Sequence, residues 1–151
     1  MSKPISSALS ILVLLSAAWL APAAPAYAEC VTLANQWIES ASYDIVFEGK
    51  VQALQTLAKP LAYVATMEVH RVWKGTLPAR VELYAVGSTA HPQLQIGPRY
   101  VLAIQRMRPP DVPERRPDLV YQTMPCAGAE RDALERMGML DAFGPGRPPG
   151  H

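Results

Sequence analysis

Cysteine is almost missing from this chain. Only Cys30 and Cys126 occur, and they form neither a C-x-x-C redox pair nor a four-ligand zinc pattern. Histidine is nearly as sparse. His70, His91 and His151 lack the short spacing of metal ligands and read as surface residues. No G-x-S-x-G, no H-E-x-x-H and no phosphate-cradling glycine loop is present. Catalysis needs a positioned nucleophile, or a base with an orienting partner, and none can be named. The chain therefore reads as a non-enzyme, with no catalytic residue, metal ligand or cofactor site assigned. An excess of one charge is missing too. Lys plus Arg number 14 against 13 for Asp plus Glu. Such a chain has no whole-molecule field to attract nucleic acid, which is excluded as the expected partner.

Long apolar runs are also absent, apart from one near the start. Lys3 supplies a positive leading region, and an apolar stretch follows over 5–20. Ala26-Tyr27-Ala28 then forms an A-x-A cleavage site behind Pro22 and Pro25. The stretch is shorter than the ~20 residues a spanning helix requires, and no stop-transfer flank follows it. Residues 1–28 read as a secretory signal, so the protein is expected to be exported, periplasmic or extracellular, without stable membrane insertion after cleavage. Lys3 is the only charged residue removed, which leaves the remainder formally neutral. Glu29 precedes Cys30 where a lipoprotein signal requires a small residue, so lipid attachment is not expected.

In an oxidising compartment Cys30 and Cys126 are each other's only intramolecular partner. A disulfide between them joins the start of the mature chain to a late segment. Closing a loop of roughly 100 residues stabilises by about 4–5 kcal/mol in the chain-entropy model, with about 2–4 more usual.

Residues 29–143 are one domain's worth of chain. Positions 31–42 carry Leu33, Ala34, Trp37, Ile38 and Ala41 at helical spacing. A period of two follows. Ile45, Phe47, Gly49 and Val51 alternate with polar or outward positions, and Gly49 marks a bulge or bend. A second strand covers 63–70, with an irregularity where Val72 and Trp73 are adjacent and a turn at Lys74-Gly75-Thr76. Further strands are expected over 79–86, 99–107 and 119–124, and a helix over 129–137 closed by Gly138. The loop 108–118 holds Pro109, Pro110, Pro113 and Pro117 and excludes regular structure. Residues 144–151, rich in glycine and proline, are expected to be a disordered tail. Trp37, Trp73, Met67, Met107 and Met124 read as core filling. Five short strands with a bend-inducing glycine fit a small closed or partly closed barrel better than a sandwich.

Certain blocks carry a family resemblance. They run from Cys30 through Asp44-Ile45-Val46-Phe47-Glu48-Gly49-Lys50-Val51 and Val69-His70-Arg71-Val72-Trp73-Lys74-Gly75. They continue with Gly97-Pro98-Arg99-Tyr100-Val101-Leu102-Ala103 and Thr123-Met124-Pro125-Cys126-Ala127-Gly128. Over about 30–137 the chain resembles bacterial secreted proteins related to the tissue inhibitors of metalloproteinases, the netrin-like (NTR) module. The resemblance implies a mainly β fold, a five-stranded OB-like closed barrel with a short N-terminal helix and a C-terminal helix. In the animal inhibitors the mature chain begins with a cysteine whose free α-amine and carbonyl oxygen chelate the zinc of the target protease. Cys30 matches that position. The mature chain expected here begins one residue earlier, at Glu29, and Thr32 stands where those proteins carry a second cysteine.

The expected function is that of an exported, disulfide-stapled binding module with an unknown protein partner. Metalloprotease inhibition is its specific version. A periplasmic carrier of a small ligand or metal in a barrel-end pocket is the alternative. The expected partner contact comprises Glu29, Cys30, Arg108, Arg115 and Arg116. The arginines also have a plainer reading, a solvated loop balanced by Asp111, Glu114 and Asp118.

Overall fold

A computed structural model describes residues 34–57 and 61–150. The expected signal segment, Glu29, Cys30 and His151 lie outside these residues. Five strands form a closed barrel: β1 (Ile45–Thr56), β2 (Ala62–Lys74), β3 (Arg80–Val86), β4 (Arg99–Arg106) and β5 (Tyr121–Glu130). Their order around the barrel is β1-β2-β3-β5-β4, with β1 also bonded to β4. Every pairing is antiparallel except β3 with β5. The seam that closes the barrel between β3 and β5 is short, with Leu83 opposite Tyr121 and Tyr84 opposite Gln122.

Side-chain alternation explains the interior. Phe47, Val51, Met67, Leu83, Leu102 and Ile104 point inward and form one buried cluster. Gly49 does what its position suggested. The β1–β2 register shifts between Glu48 and Gly49, and a Cβ on Gly49 would lie 2.7 Å from the Glu68 carbonyl oxygen. The phase break at Val72 and Trp73 is a second shift, between Val46 and Phe47 on the partner strand. It sends Val72 into the barrel and Trp73 to a different cluster outside it. Gly75, at φ +73°, then turns the chain.

That outer cluster has no counterpart in the alternation argument. Trp37, Val46, Val101, Ala103, Leu134 and Phe143 pack against the outside of β1, β4 and β5. These strands are therefore covered on both faces at this point, which is why Val46, Val101 and Ala103 are apolar although they point away from the interior.

Four expectations are corrected in extent. The last strand runs over Tyr121–Glu130 and not 119–124. Pro125 does not end it, because the β4–β5 register shifts between Leu102 and Ile104, and a proline at a bulge removes no ladder bond. The helix expected over 129–137 is α1 (Arg131–Arg136). Its end is a Schellman cap: the Gly138 amide donates to the Glu135 carbonyl (3.0 Å) and the Met139 amide to the Leu134 carbonyl (2.9 Å). Within 31–42, the described residues form only a 3-10 turn, Ala34–Gln36, followed by turns. The Ser40 hydroxyl accepts from the Ser42 amide at 3.2 Å, a local bond that competes with helix continuation.

The fourth correction concerns 144–150, expected as a disordered tail. These residues lie along β2. Arg147 and Val72 exchange both backbone bonds (2.8 and 2.9 Å), and the Gly150 amide donates to the Leu77 carbonyl (2.9 Å). Composition missed this because the segment contributes no core. What holds it is the unpaired edge of β2, whose pairing with β3 stops at Glu68.

Candidate interaction surface

The proline-rich connection joins β4 to β5 and is anchored at both ends. Met107 and Leu119 are buried with Val64, and Val112, Leu57 and Tyr84 pack around them on the outside of β2 and β3. Short turns fill the interval. Amide groups of Asp111, Arg116 and Leu119 donate to the carbonyls of Arg108, Pro113 and Arg116. This explains how a stretch with four prolines keeps a defined path: a few apolar anchors and local turns replace ladder bonds.

The three arginines of the expected contact are not equivalent. Arg116 is bound within the protein. Its guanidinium reaches Asp118 at 2.7 Å and Glu82 of β3 at 2.5 Å. The hydrogen bond that Arg116 donates to Asp118, then the one it donates to Glu82, raises the Arg116 pKa above its ordinary value. Asp118 is correspondingly lowered, chiefly by its bond to Arg116. Arg108 and Arg115 are exposed and form no ion pair among the described residues. Asp118 and Glu82 hold Arg116, whereas Asp111 and Glu114 form no ion pair among the described residues. Arg106 is separate again, with its guanidinium 5.5 Å from the Tyr121 ring centre.

Cys126 sits elsewhere on β5. It occupies the left-handed region (φ +55°) at the β4–β5 register shift, and its amide donates to the Ala90 carbonyl at 2.8 Å. That bond ties β5 to the connection 87–98. Leu94 of this connection is buried inside the barrel, and its amide donates to the Tyr63 hydroxyl at 3.3 Å. The Tyr100 hydroxyl accepts from the Gln95 amide at 3.0 Å. Gly128 lets the two segments meet, since a Cβ there would lie 2.5 Å from Leu102 Cδ2 and 2.8 Å from Pro92. Cys126 and the arginine loop are therefore held by different connections. Glu29 and Cys30 lie outside the described residues.

His70 and His91 lie among the described residues. His91 Nδ1 shares a hydrogen bond with the Ser88 hydroxyl at 2.7 Å, and burial pushes its pKa below the ordinary 6.5. His70 is half-buried, and its Nε2 has no partner among the described residues. Among those residues no group of three or more His, Cys, Asp or Glu could hold a metal ion.

One charged group escaped the sequence reading. Glu48 is 2 % exposed. Arg99 approaches it at 3.3 Å and Arg131 at 3.6 Å. Arg131 also binds Glu135 at 2.8 Å, one helical turn away. Burial opposes the charge on Arg131, but the Glu135 bond and the charges of Glu135 and Glu48 outweigh it and raise its pKa. The signal was present. Val46 and Glu48 share the outward face of β1, so a cover over Val46 also shields Glu48 and demands cations.

No protein-family model matches the chain, and no curated protein matches it. Among the described residues no helix is long and apolar enough to cross a membrane.

Proposed function

We propose that the protein is an exported binding module of the OB-fold, netrin-like type, stapled by a Cys30–Cys126 disulfide and acting on another protein. The observation that carries this reading is the strand order β1-β2-β3-β5-β4 in a closed barrel with β3 and β5 parallel, the arrangement of an OB-fold. The fold alone does not name a function. Support for a binding role comes from the surface. The arginine loop is built on a buried anchor and presents Arg108 and Arg115 outward. No cysteine among the described residues is free, which is in keeping with the crosslink. No observation favours the small-ligand carrier, because the barrel interior is filled by side chains that include Leu94.

Metalloprotease inhibition is the specific form of the proposal, and it turns on one atom. A free α-amine on Cys30 has a lone pair to give to zinc. An amide nitrogen, as in a chain that begins at Glu29, does not, because that pair is delocalised into the peptide bond. The test is to prepare both mature forms and measure inhibition of a purified zinc endopeptidase. Inhibition by the form beginning at Cys30, and not by the form beginning at Glu29, is the expected result. If neither form inhibits, the inhibitor reading is wrong. Recovery of a specific partner from the exported fraction, lost when 108–118 is replaced by a short linker, would then leave a binding module of another specificity.

A further inference from the structure

β2 is longer than its neighbour on one side. β3 pairs with it only between Ala62 and Glu68. Beyond that, the Val69 amide donates to the Ala79 carbonyl, and the next stretch of edge is covered by residues 144–150. We propose that this edge, from Arg71 of β2 to Gly75 just beyond its end, is a main-chain addition site for a peptide carrying Gly-Arg, and that residues 144–150 occupy it as a displaceable strap.

The strap's contacts define a recognition pattern. Val72 supplies an N–H and a C=O that pair with Arg147, the main-chain bonding by which an extended peptide is added to a sheet edge. The Trp73 indole N–H donates to the Gly144 carbonyl at 2.9 Å. The Arg147 guanidinium donates to the Gly75 carbonyl oxygen. Arg71 lies over the Trp73 ring, 5.9 Å from its centre, and the two side chains form a platform. Gly146 passes directly over that platform. A Cβ there would lie 2.5 Å from Arg71 Cγ and 3.0 Å from Trp73 Nε1, and φ is +66°. The residue before the arginine must therefore be glycine, which gives the site selectivity beyond backbone pairing. Pro148 and Pro149 follow and have no N–H to offer a further strand.

The same contacts make the strap displaceable. Residues 144–147 are exposed, and none of 144–150 belongs to a buried cluster. The segment is held chiefly by backbone and polar bonds, the kind of element that opens first. A seven-residue strap tethered at buried Phe143 competes at an effective concentration on the order of millimolar. A free peptide of the same chemistry must overcome that competition.

The experiment uses a fluorescein-labelled peptide, Gly-Pro-Gly-Arg-Pro-Pro-Gly, with fluorescence anisotropy. The protein is compared as wild type, as full-length Gly146→Val, and as a variant lacking 144–151. Gly146→Val should eject the strap without touching the barrel, and Trp73 emission reports the loss of its carbonyl partner. Both altered proteins should bind the peptide at least about tenfold more tightly than wild type. A peptide with alanine in place of arginine, or valine in place of the central glycine, should bind more weakly to both. Equal binding to wild type and variants would overturn the proposal, as would failure of the deletion variant to bind the peptide. Collapse of the deletion variant's fold would overturn it as well, since the strap would then be an integral part of the barrel.

Discussion

Replacing Glu48 by glutamine keeps the shape of the side chain and removes its charge. The carboxylate is almost fully buried, so water cannot replace what the arginines supply. Breaking a fully buried ion pair costs about 3–5 kcal/mol, but that figure overstates this site. Arg99 is 52 % exposed and Arg131 27 %, so both can turn to solvent when the carboxylate is gone. A hydrogen bond to a charged group, about 1.5–3 kcal/mol, is the better guide, and solvent screening lowers it. The expected loss for Glu48→Gln is about 1–2 kcal/mol. The two partners also differ. Arg99 is nearer but more exposed, whereas Arg131 is less exposed and is oriented by Glu135. Screening is expected to outweigh the few tenths of an ångström, so Arg131→Met should couple to Glu48→Gln more strongly than Arg99→Met does. The assay is urea unfolding of the single and double variants, read as a double-mutant cycle. Coupling below about 0.3 kcal/mol for both pairs, with little cost for Glu48→Gln, would refute the claim that β1 carries a buried charge cluster.

Three further outcomes follow from the packing and the titrating groups. Leu134, fully buried between α1 and the outside of the barrel, should cost about 2–5 kcal/mol when cut to alanine, measured by the shift of the urea midpoint. Gly128→Ala forces a methyl against Leu102 and Pro92 and should cost about 1–3 kcal/mol by the same assay, with increased hydrogen exchange at the Cys126 amide. His91 should titrate below 6.5 by NMR. Because burial favours its neutral form in the folded state, the unfolded chain takes up the proton first as pH falls. Its contribution is therefore present above pH 6.5 and is lost as pH drops through the folded-state value, so His91→Gln should flatten the stability profile across that window.

How far the sequence could be read depended on which interaction decided each element. Strands β1 to β4 each carry a period-two series that places Phe47, Met67, Leu83 and Leu102 inside without reference to the rest of the chain, although in β1 and β4 part of the other face is apolar too. Even the irregularities at Gly49 and at Val72-Trp73 are local and were legible. β5 was read short because Pro125 is an end signal only in an unbulged strand, and the bulge depends on β4. The outer cluster is not legible because Val46 lies on β1 and Val101 and Ala103 on β4, and only tertiary structure brings Trp37, Leu134 and Phe143 over them. The strap at 144–150 was missed for the opposite reason. Its glycines and prolines carry no propensity, and the edge that holds it exists only because β2 outruns β3. At the candidate contact, charge pattern alone cannot separate Arg116 from Arg108 and Arg115. The partner that separates them, Glu82, lies on a strand 34 residues earlier.

Export and the crosslink are decided together by the intact mass of the protein recovered from the exported fraction, before and after reduction. The expected species has lost residues 1–28, weighs two hydrogens less than its reduced form, and gives a peptide pair joining Cys30 to Cys126 on digestion. A protein that retains its first 28 residues, or in which both cysteines are alkylated without reductant, would contradict it.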